Sequence, residues 1–215
     1  MGNLALVTII VIAINGIISF KGFNDQLFFD KYKFSISAIQ RGEYWRMISS
    51  GFLHVDITHL FVNMLTLYFF ANVVIFHGGI LAFILTYLGS LFLGNLFTLF
   101  FHKDEPFYSA VGASGAVMGV LYSAILLRPD MMLGLFFFIP IPAYIFGIGY
   151  LLYSIYGMKA QNDQIGHDAH FGGAMGGYFI TMFFAPWVFQ EHLLMVGLLL
   201  IPIVVLFILK QTGKI

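Results

Sequence analysis

Residues 57–101 read ITHLFVNMLTLYFFANVVIFHGGILAFILTYLGSLFLGNLFTLFF, and this stretch decides the fold class. It contains no lysine, arginine, aspartate or glutamate over 45 residues, and His77-Gly78-Gly79 divides it into two apolar runs. Each run, at residues 57–76 and 80–101, approaches or exceeds the ~17–25 residues that a helix needs to cross ~30 Å of bilayer hydrocarbon. The stretch therefore predicts two membrane-spanning helices joined by a tight turn.

The rest of the chain has the same character. Its 215 residues are 60% hydrophobic and 9% charged, whereas a soluble domain carries about 25% charged residues. The first apolar stretch lacks a basic leader and an Ala-x-Ala cleavage site, so it is interpreted as a span and not as a signal peptide. We predict an all-α polytopic membrane protein, with five further spans at about residues 4–20, 113–127, 142–157, 169–187 and 193–209.

The composition also excludes several classes of function. The chain has no cysteine, which rules out disulfides, thiolate metal sites and a cysteine nucleophile. Its formal net charge is zero, so nothing indicates a nucleic-acid partner. The polar segment 21–56 holds nine of the 20 charged residues and amphipathic pieces such as residues 34–39. It is expected to be a folded loop at the membrane interface, and residues 131–141 are expected to be a loop tucked against the bundle.

Counting spans places several polar side chains at one face of the membrane. Spans 2, 4 and 6 must cross in the same direction, so their N-terminal ends share a face. His59 and Asn63, Ser114, and His170 lie at those three ends. Polar groups in hydrocarbon are costly and tend to face the bundle interior. The four side chains are therefore predicted to meet near one water interface.

These side chains suit nucleophilic catalysis. A serine hydroxyl becomes an effective nucleophile when a neutral imidazole takes its proton, which assigns those roles to Ser114 and His170. Ser114 opens a helix, where unpaired backbone N–H groups and the positive end of the dipole can stabilise an oxyanion. His59 and Asn63 are spaced i, i+4 and share one helix face, and both can donate hydrogen bonds to the same oxyanion.

The neighbouring residues complete this hypothesis. Gly112 and Gly115 permit a tight turn and a close backbone approach around the nucleophile. No carboxylate is predicted as a third catalytic member, because Asp168 is expected to face the loop. A Ser–His dyad is physically reasonable here, since burying an unpaired carboxylate is expensive.

Other interpretations of the same residues remain open. Glycine and serine in membrane helices commonly allow close packing, so Gly-x-Ser-Gly alone is weak evidence, and residues 172–177 are predicted to pack the sixth span against the fourth. His54, His59 and His170 could in principle bind zinc. No His-Glu-x-x-His helix and no buried carboxylate pair accompany them, so neither a metal nor a cofactor is predicted. No chemistry is assigned to four histidines in predicted turns or loops: His77, His102, His167 and His192.

In combination these motifs resemble the rhomboid family. In order, over roughly residues 40–180, the sequence has Glu43-x-Trp45-Arg46, His54, His59-Leu-Phe-Val-Asn63, Gly112-Ala-Ser114-Gly115 and Ala169-His170-x-x-Gly173-x-x-x-Gly177. The resemblance implies a six-helix catalytic core at residues 1–190, including the interfacial loop, and an additional helix and tail at 191–215. It also implies an intramembrane serine endopeptidase that cleaves transmembrane segments of other proteins near the membrane surface.

The resemblance further implies individual roles. His59, Asn63 and the Ser114 backbone N–H would form the oxyanion hole, and His54 would support them. The loop with Trp45 and Arg46 would pack in the outer leaflet. Substrates would enter laterally near spans 2 and 5, and the site would face outward from the cell membrane. The basic residues conflict with this orientation, because only Arg128 would face the cytosol, which reverses the positive-inside rule. The family orientation is preferred because the folded first loop needs its charges for structure.

One departure from the family pattern concerns the histidine. Met118 stands where many members carry an aromatic residue against the catalytic imidazole. A thioether can still contact such a ring, so altered positioning is expected, and not inactivity.

Two competing functions are weighed against the protease. One is a non-catalytic relative that binds transmembrane segments as a chaperone or sorting factor, although such relatives typically lack the serine or the histidine. The other is a transporter, which would favour polar groups at the midplane. The expected partners are the lipid bilayer and transmembrane substrates, and no oligomeric state is predicted.

Overall fold

In the computed structural model, the chain is described over residues 5–135, 139–160 and 165–214. Short strands form two antiparallel pairs, β1 (Phe34–Ser35) with β2 (Ser109–Ala110) and β3 (Met132–Leu135) with β4 (Ile139–Pro142). The α-helices of these ranges, in chain order, are α1 (Leu6–Asn24), α2 (Gln26–Tyr32), α3 (Ile36–Gln40), α4 (Arg46–Ser49), α5 (Ile57–Phe101), α6 (Ser114–Leu127), α7 (Ala143–Ala160), α8 (His167–Phe184), α9 (Val188–Glu191) and α10 (Leu193–Gln211), and a 3-10 helix spans Ser50–Phe52.

The long helix α5 turns back on itself. It begins after Asp56, whose side chain accepts the His59 backbone N–H at 2.7 Å and so caps the first turn. A straight helix of 45 residues would be about 68 Å long. Residues near both of its ends, Asn63 and Phe101, nevertheless line one cavity. The reversal lies at Gly79, whose φ of 79° and ψ of 178° are accessible to glycine and strained for other residues. The predicted tight turn between two spans is confirmed.

The chain is an all-α polytopic membrane protein. Among the described helices, α1, α5 and α10 are long and apolar enough to cross a membrane, and α6 is a shorter apolar helix. The spans alternate in direction. Lys210, at the end of α10, lies 3.9 Å from the ring centroid of Phe101 at the end of α5. His192, just before α10, contacts the Leu126 carbonyl near the end of α6 at 2.8 Å, so α10 crosses the full bundle.

Helix α6 is the centre of the bundle, and residues 115–127 are all buried. It packs against α8 through glycines at i, i+4 spacing. A Cβ added at Gly173 would overlap the Gly115 carbonyl, and one at Gly177 would overlap the Gly119 carbonyl. Small residues at this spacing let two helix backbones approach closely. The prediction that residues 172–177 bring the sixth span onto the fourth is confirmed.

The other face of the same glycine motif packs against α5. A Cβ at Gly172 would lie 2.7 Å from the Leu93 carbonyl oxygen, and one at Gly176 would lie 2.9 Å from Cα of Ser90. Helix α8 is therefore wedged between α5 and α6 by its four glycines. The backbone of α8, including its first turn, is held at close range on both sides.

The interfacial segment between α1 and α5 is folded, as predicted. A small core of its own contains Phe34, Ile36, Ile39 and Met47. The β1–β2 pairing joins this segment to the loop that precedes α6. The backbone that leads into Ser114 is therefore tied to the interfacial segment.

Three sequence expectations differ from the structure. Of residues 131–141, expected to be a loop, the structure describes 131–135 and 139–141, which contribute to the antiparallel strands β3 and β4, with prolines 140 and 142 on β4. His167 lies in helix α8 and not in a loop, and His77 is a helical residue of α5 two positions before the reversal at Gly79. Asp168, expected to face the loop, is 3% exposed in the first turn of α8. Its burial is explained by its contacts with the end of α5, described below.

Candidate active site

The turn before α6 presents Ser114. Gly112 has a φ of 138°, in the region that favours glycine, and its N–H donates to the Ser50 carbonyl at 3.0 Å. A Cβ at Gly112 would lie 2.7 Å from Cε1 of His59 and 3.7 Å from Oγ of Ser114. The absence of a side chain at Gly112 therefore leaves room for the His59 imidazole beside the turn that presents Ser114. Gly115 serves the close approach instead, with its Cβ position 3.2 Å from the Ala169 carbonyl oxygen.

One cavity of ≈ 910 Å³ contains the predicted catalytic side chains. Its lining includes His59 and Asn63 from the start of α5, Ser114 and Met118 from α6, and His170 from α8. The span count predicted that these polar groups meet, and this convergence is confirmed. The chemical role of each residue stays a prediction.

The ring of His170 has an aromatic neighbour on α7. The Tyr150 hydroxyl lies 2.9 Å from His170 Nδ1, and the two ring centroids are 5.6 Å apart with planes tilted by 35°. The aromatic partner therefore comes from a helix other than α6, whose Met118 holds the position expected for it. Sequence reasoning missed Tyr150. A tyrosine combines an apolar ring with a polar hydroxyl and so can contact a catalytic histidine. Because α7 contains several tyrosines, the sequence did not indicate which of them does so.

His54 lies behind the cavity and contacts the turn that precedes Ser114. Its Nε2 accepts the Ala113 N–H at 3.4 Å, and its Nδ1 lies 2.8 Å from Ser19 Oγ. The Ser19 hydroxyl donates to the Phe52 carbonyl at 3.0 Å, so it accepts from His54 Nδ1–H. Burial, with His59 as a smaller cause, lowers the pKa of His54 to about 3. The ring is therefore neutral, and it connects α1 to the residue before Ser114.

The remaining predicted residues lie around this centre. Asn63 Nδ2 donates to the His59 carbonyl at 2.9 Å. Arg46 is buried, pairs with Glu43 at 2.7 Å and donates to the carbonyls of residues 30 and 33 at 2.8 Å each. Its contacts hold the interfacial segment together. Trp45 is 51% exposed and lies on the outside of that segment.

A second polar group at the cavity wall was not expected from the sequence. Nδ1 of His102 lies 3.0 Å from Glu105 Oε1, and its Nε2 lies 3.8 Å from Asp168 Oδ1. The His102 ring stacks on Tyr108 at 3.7 Å between centroids. Burial alone would lower the pKa of His102, but the two carboxylates outweigh burial and raise it. All four residues line the same cavity as Ser114. The contact between Asp168 and His102 joins the first turn of α8 to the end of α5.

No metal cluster accompanies these residues. Within residues 5–135, 139–160 and 165–214, no group of three or more histidine, cysteine, aspartate or glutamate side chains is placed to hold a metal ion.

Fold and site together define a polytopic membrane protein whose cavity joins a helix-terminal serine to a histidine on a glycine-packed neighbour. The Rhomboid domain family model matches residues 41–187, and the chain belongs to the rhomboid family.

Relatives in three organisms agree with this assignment. The "RHOMBOID-like protein 12, mitochondrial" of Arabidopsis thaliana is 32% identical over 77% of this chain and 54% of its own length. "Rhomboid protein 1, mitochondrial" of Saccharomyces cerevisiae is 32% identical over 61% of this chain and 39% of its own length. "Rhomboid protease GluP" of Bacillus subtilis is 32% identical over 66% of this chain and 26% of its own length. The chain thus spans about half the length of the first relative and smaller shares of the others.

Proposed function

We propose that this protein is an intramembrane serine endopeptidase that cleaves transmembrane segments of other membrane proteins with a Ser114–His170 dyad. The observation that carries the proposal is the shared cavity, which brings both residues together with His59 and Asn63. A packing role alone would account for the glycines. It would not account for four polar groups from three helix ends that face one space.

The chemistry follows from the positions of these groups. His170 takes the proton of Ser114 Oγ as the oxygen attacks the scissile carbonyl carbon, and the carbonyl π electrons move onto oxygen. The Ser114 backbone N–H, the His59 ring and the Asn63 amide are the donors for that oxyanion. His170 then protonates the leaving amine as the C–N bond breaks. Water hydrolyses the acyl-enzyme with His170 again as base, and no metal or cofactor takes part.

The length of α6 supports cleavage inside the membrane boundary. Its 14 residues span about 21 Å, which is about 9 Å less than the ~30 Å hydrocarbon layer. If its far end reaches one interface, Ser114 lies below the other. The cavity walls include Val62 from α5 and Phe146 from α7, so a substrate segment is proposed to enter laterally between these two helices.

The proposed location is the cell membrane, with the cavity facing its outer side. The ion pairs of the interfacial segment support this orientation against the count of basic residues. Lys21 pairs with Asp25 at 2.6 Å, Lys33 with Asp30 at 2.7 Å, and Arg46 with Glu43. These charges serve the local fold, so they carry less topological information. The names of two relatives make a mitochondrial membrane the alternative location.

The proposal is tested with Ser114→Ala and His170→Ala, assayed separately in proteoliposomes on a single-pass substrate. Each change is expected to abolish cleavage, and Ser114→Ala is expected to abolish labelling by a fluorophosphonate probe. Ser123→Ala is the matched control, because Ser123 lies on the same helix and bonds to Thr181 at 2.7 Å. Cleavage that persists at the wild-type rate in either dyad variant contradicts the mechanism.

The second candidate is a membrane protein that binds transmembrane segments without cutting them. It predicts capture of the substrate segment by wild type and by Ser114→Ala alike, with no cleavage product and no probe labelling in either. Labelling of Ser114 in the wild type therefore separates the two functions.

A further inference from the structure

We propose that Tyr150 is the positioning residue of the dyad: its hydroxyl oxygen accepts the Nδ1 hydrogen of His170 and so fixes the reactive tautomer. This inference rests on the proposed function. It extends that function with a third residue, supplied by a helix that carries neither member of the dyad.

The protonation of the His170 imidazole determines whether it can act as a base. A neutral histidine carries one ring hydrogen, and the hydrogen bond made by one nitrogen determines which nitrogen bears it. His170 can accept the Ser114 proton at Nε2 only if that nitrogen has a free lone pair, so the hydrogen must reside on Nδ1. The Tyr150 hydroxyl, 2.9 Å from Nδ1, offers an acceptor at the required nitrogen.

A hydroxyl suits this place better than a carboxylate would. An ionised carboxylate beside His170 would need a charged partner of its own to offset its desolvation, whereas a tyrosine is neutral and has both an acceptor and a donor. The nearest carboxylate along the chain, Asp168, has its Oδ1 3.8 Å from His102 Nε2. That carboxylate is therefore engaged at the end of α5.

The Tyr150 ring is itself held in place. Phe146, one turn earlier on α7, stacks on it with centroids 5.7 Å apart and planes tilted by 16°. Between them, the Gly147 carbonyl accepts the Tyr122 hydroxyl of α6 at 2.8 Å. This bond anchors α7 to the central helix within one turn of Tyr150. The position of the hydroxyl is thus set by α6, the helix that also carries Ser114.

One consequence concerns substrate entry. Because Tyr150 belongs to α7 and His170 to α8, any movement of α7 away from the bundle lengthens the contact that holds the tautomer. The dyad is therefore in its reactive state only when α7 is closed against α6.

The test is Tyr150→Phe, which keeps the ring and removes the hydroxyl. The cleavage kcat is expected to fall by about tenfold, the worth of one hydrogen bond, with KM unchanged. Nitrogen NMR of histidine-labelled protein is expected to show His170 moving from the Nδ1–H form toward the Nε2–H form. The His170 signals are identified as those lost in His170→Gln. The control is Tyr156→Phe, an exposed tyrosine on the same helix, which should match wild type in both measurements.

Two results overturn the inference: an unchanged His170 tautomer in Tyr150→Phe, or an unchanged kcat. The NMR measurement needs no turnover, so it stands apart from the test of the protease. If Ser114→Ala still cleaves the substrate but Tyr150→Phe shifts the His170 tautomer, the Tyr150 contact is supported and the proposed function is contradicted. If Ser114→Ala abolishes cleavage but Tyr150→Phe leaves the His170 tautomer unchanged, the protease is supported and the role of Tyr150 is contradicted.

Discussion

Helices α8 and α7 both bring a side chain to the proposed Ser114–His170 site, but they are held in different ways. On α8, the glycine at 173 faces the backbone of Gly115, where a Cβ would overlap the carbonyl. On α7, a Cβ at Gly147 would meet only side chains, with Ile125 Cδ1 at 2.9 Å, and one at Gly149 would meet nothing within 4 Å. His170 therefore sits on a helix with backbone-to-backbone contact to α6, whereas Tyr150 sits on a helix that meets α6 through side chains and the Tyr122–Gly147 hydrogen bond.

The difference assigns separate tasks to the two helices. Backbone contact leaves no adjustable atoms, so the α6–α8 pair sets the separation of Ser114 and His170. Side-chain contact can rearrange at low cost, so α7 can move relative to α6 without disturbing that separation. The distance between the proposed nucleophile and the proposed base is thus set by the α6–α8 packing, and the orientation of the His170 ring depends on α7.

The largest expected effect comes from Gly173→Ala. The new methyl group can be accommodated only by shifting the α6 or α8 backbone, so the free energy of unfolding should fall by roughly 3 kcal/mol, the upper part of the range for overpacked cores. Cleavage should be lost with it, because His170 lies one turn away on the same helix. The measurement is a detergent–SDS unfolding titration, paired with the proteoliposome assay.

A stable and active Gly173→Ala protein would contradict the backbone contact. A stable but inactive Gly173→Ala protein would support a more specific role for this contact. It would show that the spacing between Ser114 and His170 can change without loss of the fold.

The α8 side of this comparison could be predicted from the sequence. Glycines at i, i+4 spacing imply close helix approach, and the order of the spans implies which helix ends coincide. Both arguments need only short-range patterns and a count of crossings. They brought Ser114 and His170 into one site, and they did so correctly for His59 and Asn63 as well.

The α7 side could not be predicted, for a physical reason. Which tyrosine of α7 contacts His170 depends on the rotation of that helix about its axis. An apolar helix in lipid has no distinct polar face, so its sequence pattern does not indicate this rotation. Asp168 was placed wrongly for a related reason. Its partner His102 is more than sixty residues earlier, and a carboxylate beside a predicted loop gives no sign of a buried contact.

The His102 contact is a second anchor of α8, and it should depend on pH. The raised pKa of His102 means that its charged form is favoured in the folded state. Its stabilisation is therefore fully present below the unfolded value of 6.5 and is lost as pH rises through the higher folded value. The loss should be about 1 kcal/mol, the upper figure for a partly exposed ion pair. Unfolding titrations between about pH 6 and 9 would measure it.

His102→Gln should flatten this pH dependence, since glutamine cannot titrate. His77→Gln, at the far turn of α5, is the control and should keep the wild-type slope. If the stability of His102→Gln depends on pH as strongly as that of wild type, other groups cause the pH dependence, and the His102 contact does not stabilise α8.

The smallest expected effect is that of Gly149→Ala on α7, which makes it the sharpest counterpart of Gly173→Ala. The same methyl group is added in the middle of a helix, but at Gly149 it enters open space. Alanine is favoured over glycine in a helix interior, so the free energy of unfolding should stay equal or rise by up to about 1 kcal/mol. Cleavage should continue at the wild-type rate in the same assay. Because the two substitutions are chemically identical, only the neighbourhood of the helix can make their outcomes differ. A large loss of stability in Gly149→Ala would mean that α7 is packed as tightly as α8. It would contradict the inference that α7 can move while the α6–α8 packing keeps its geometry.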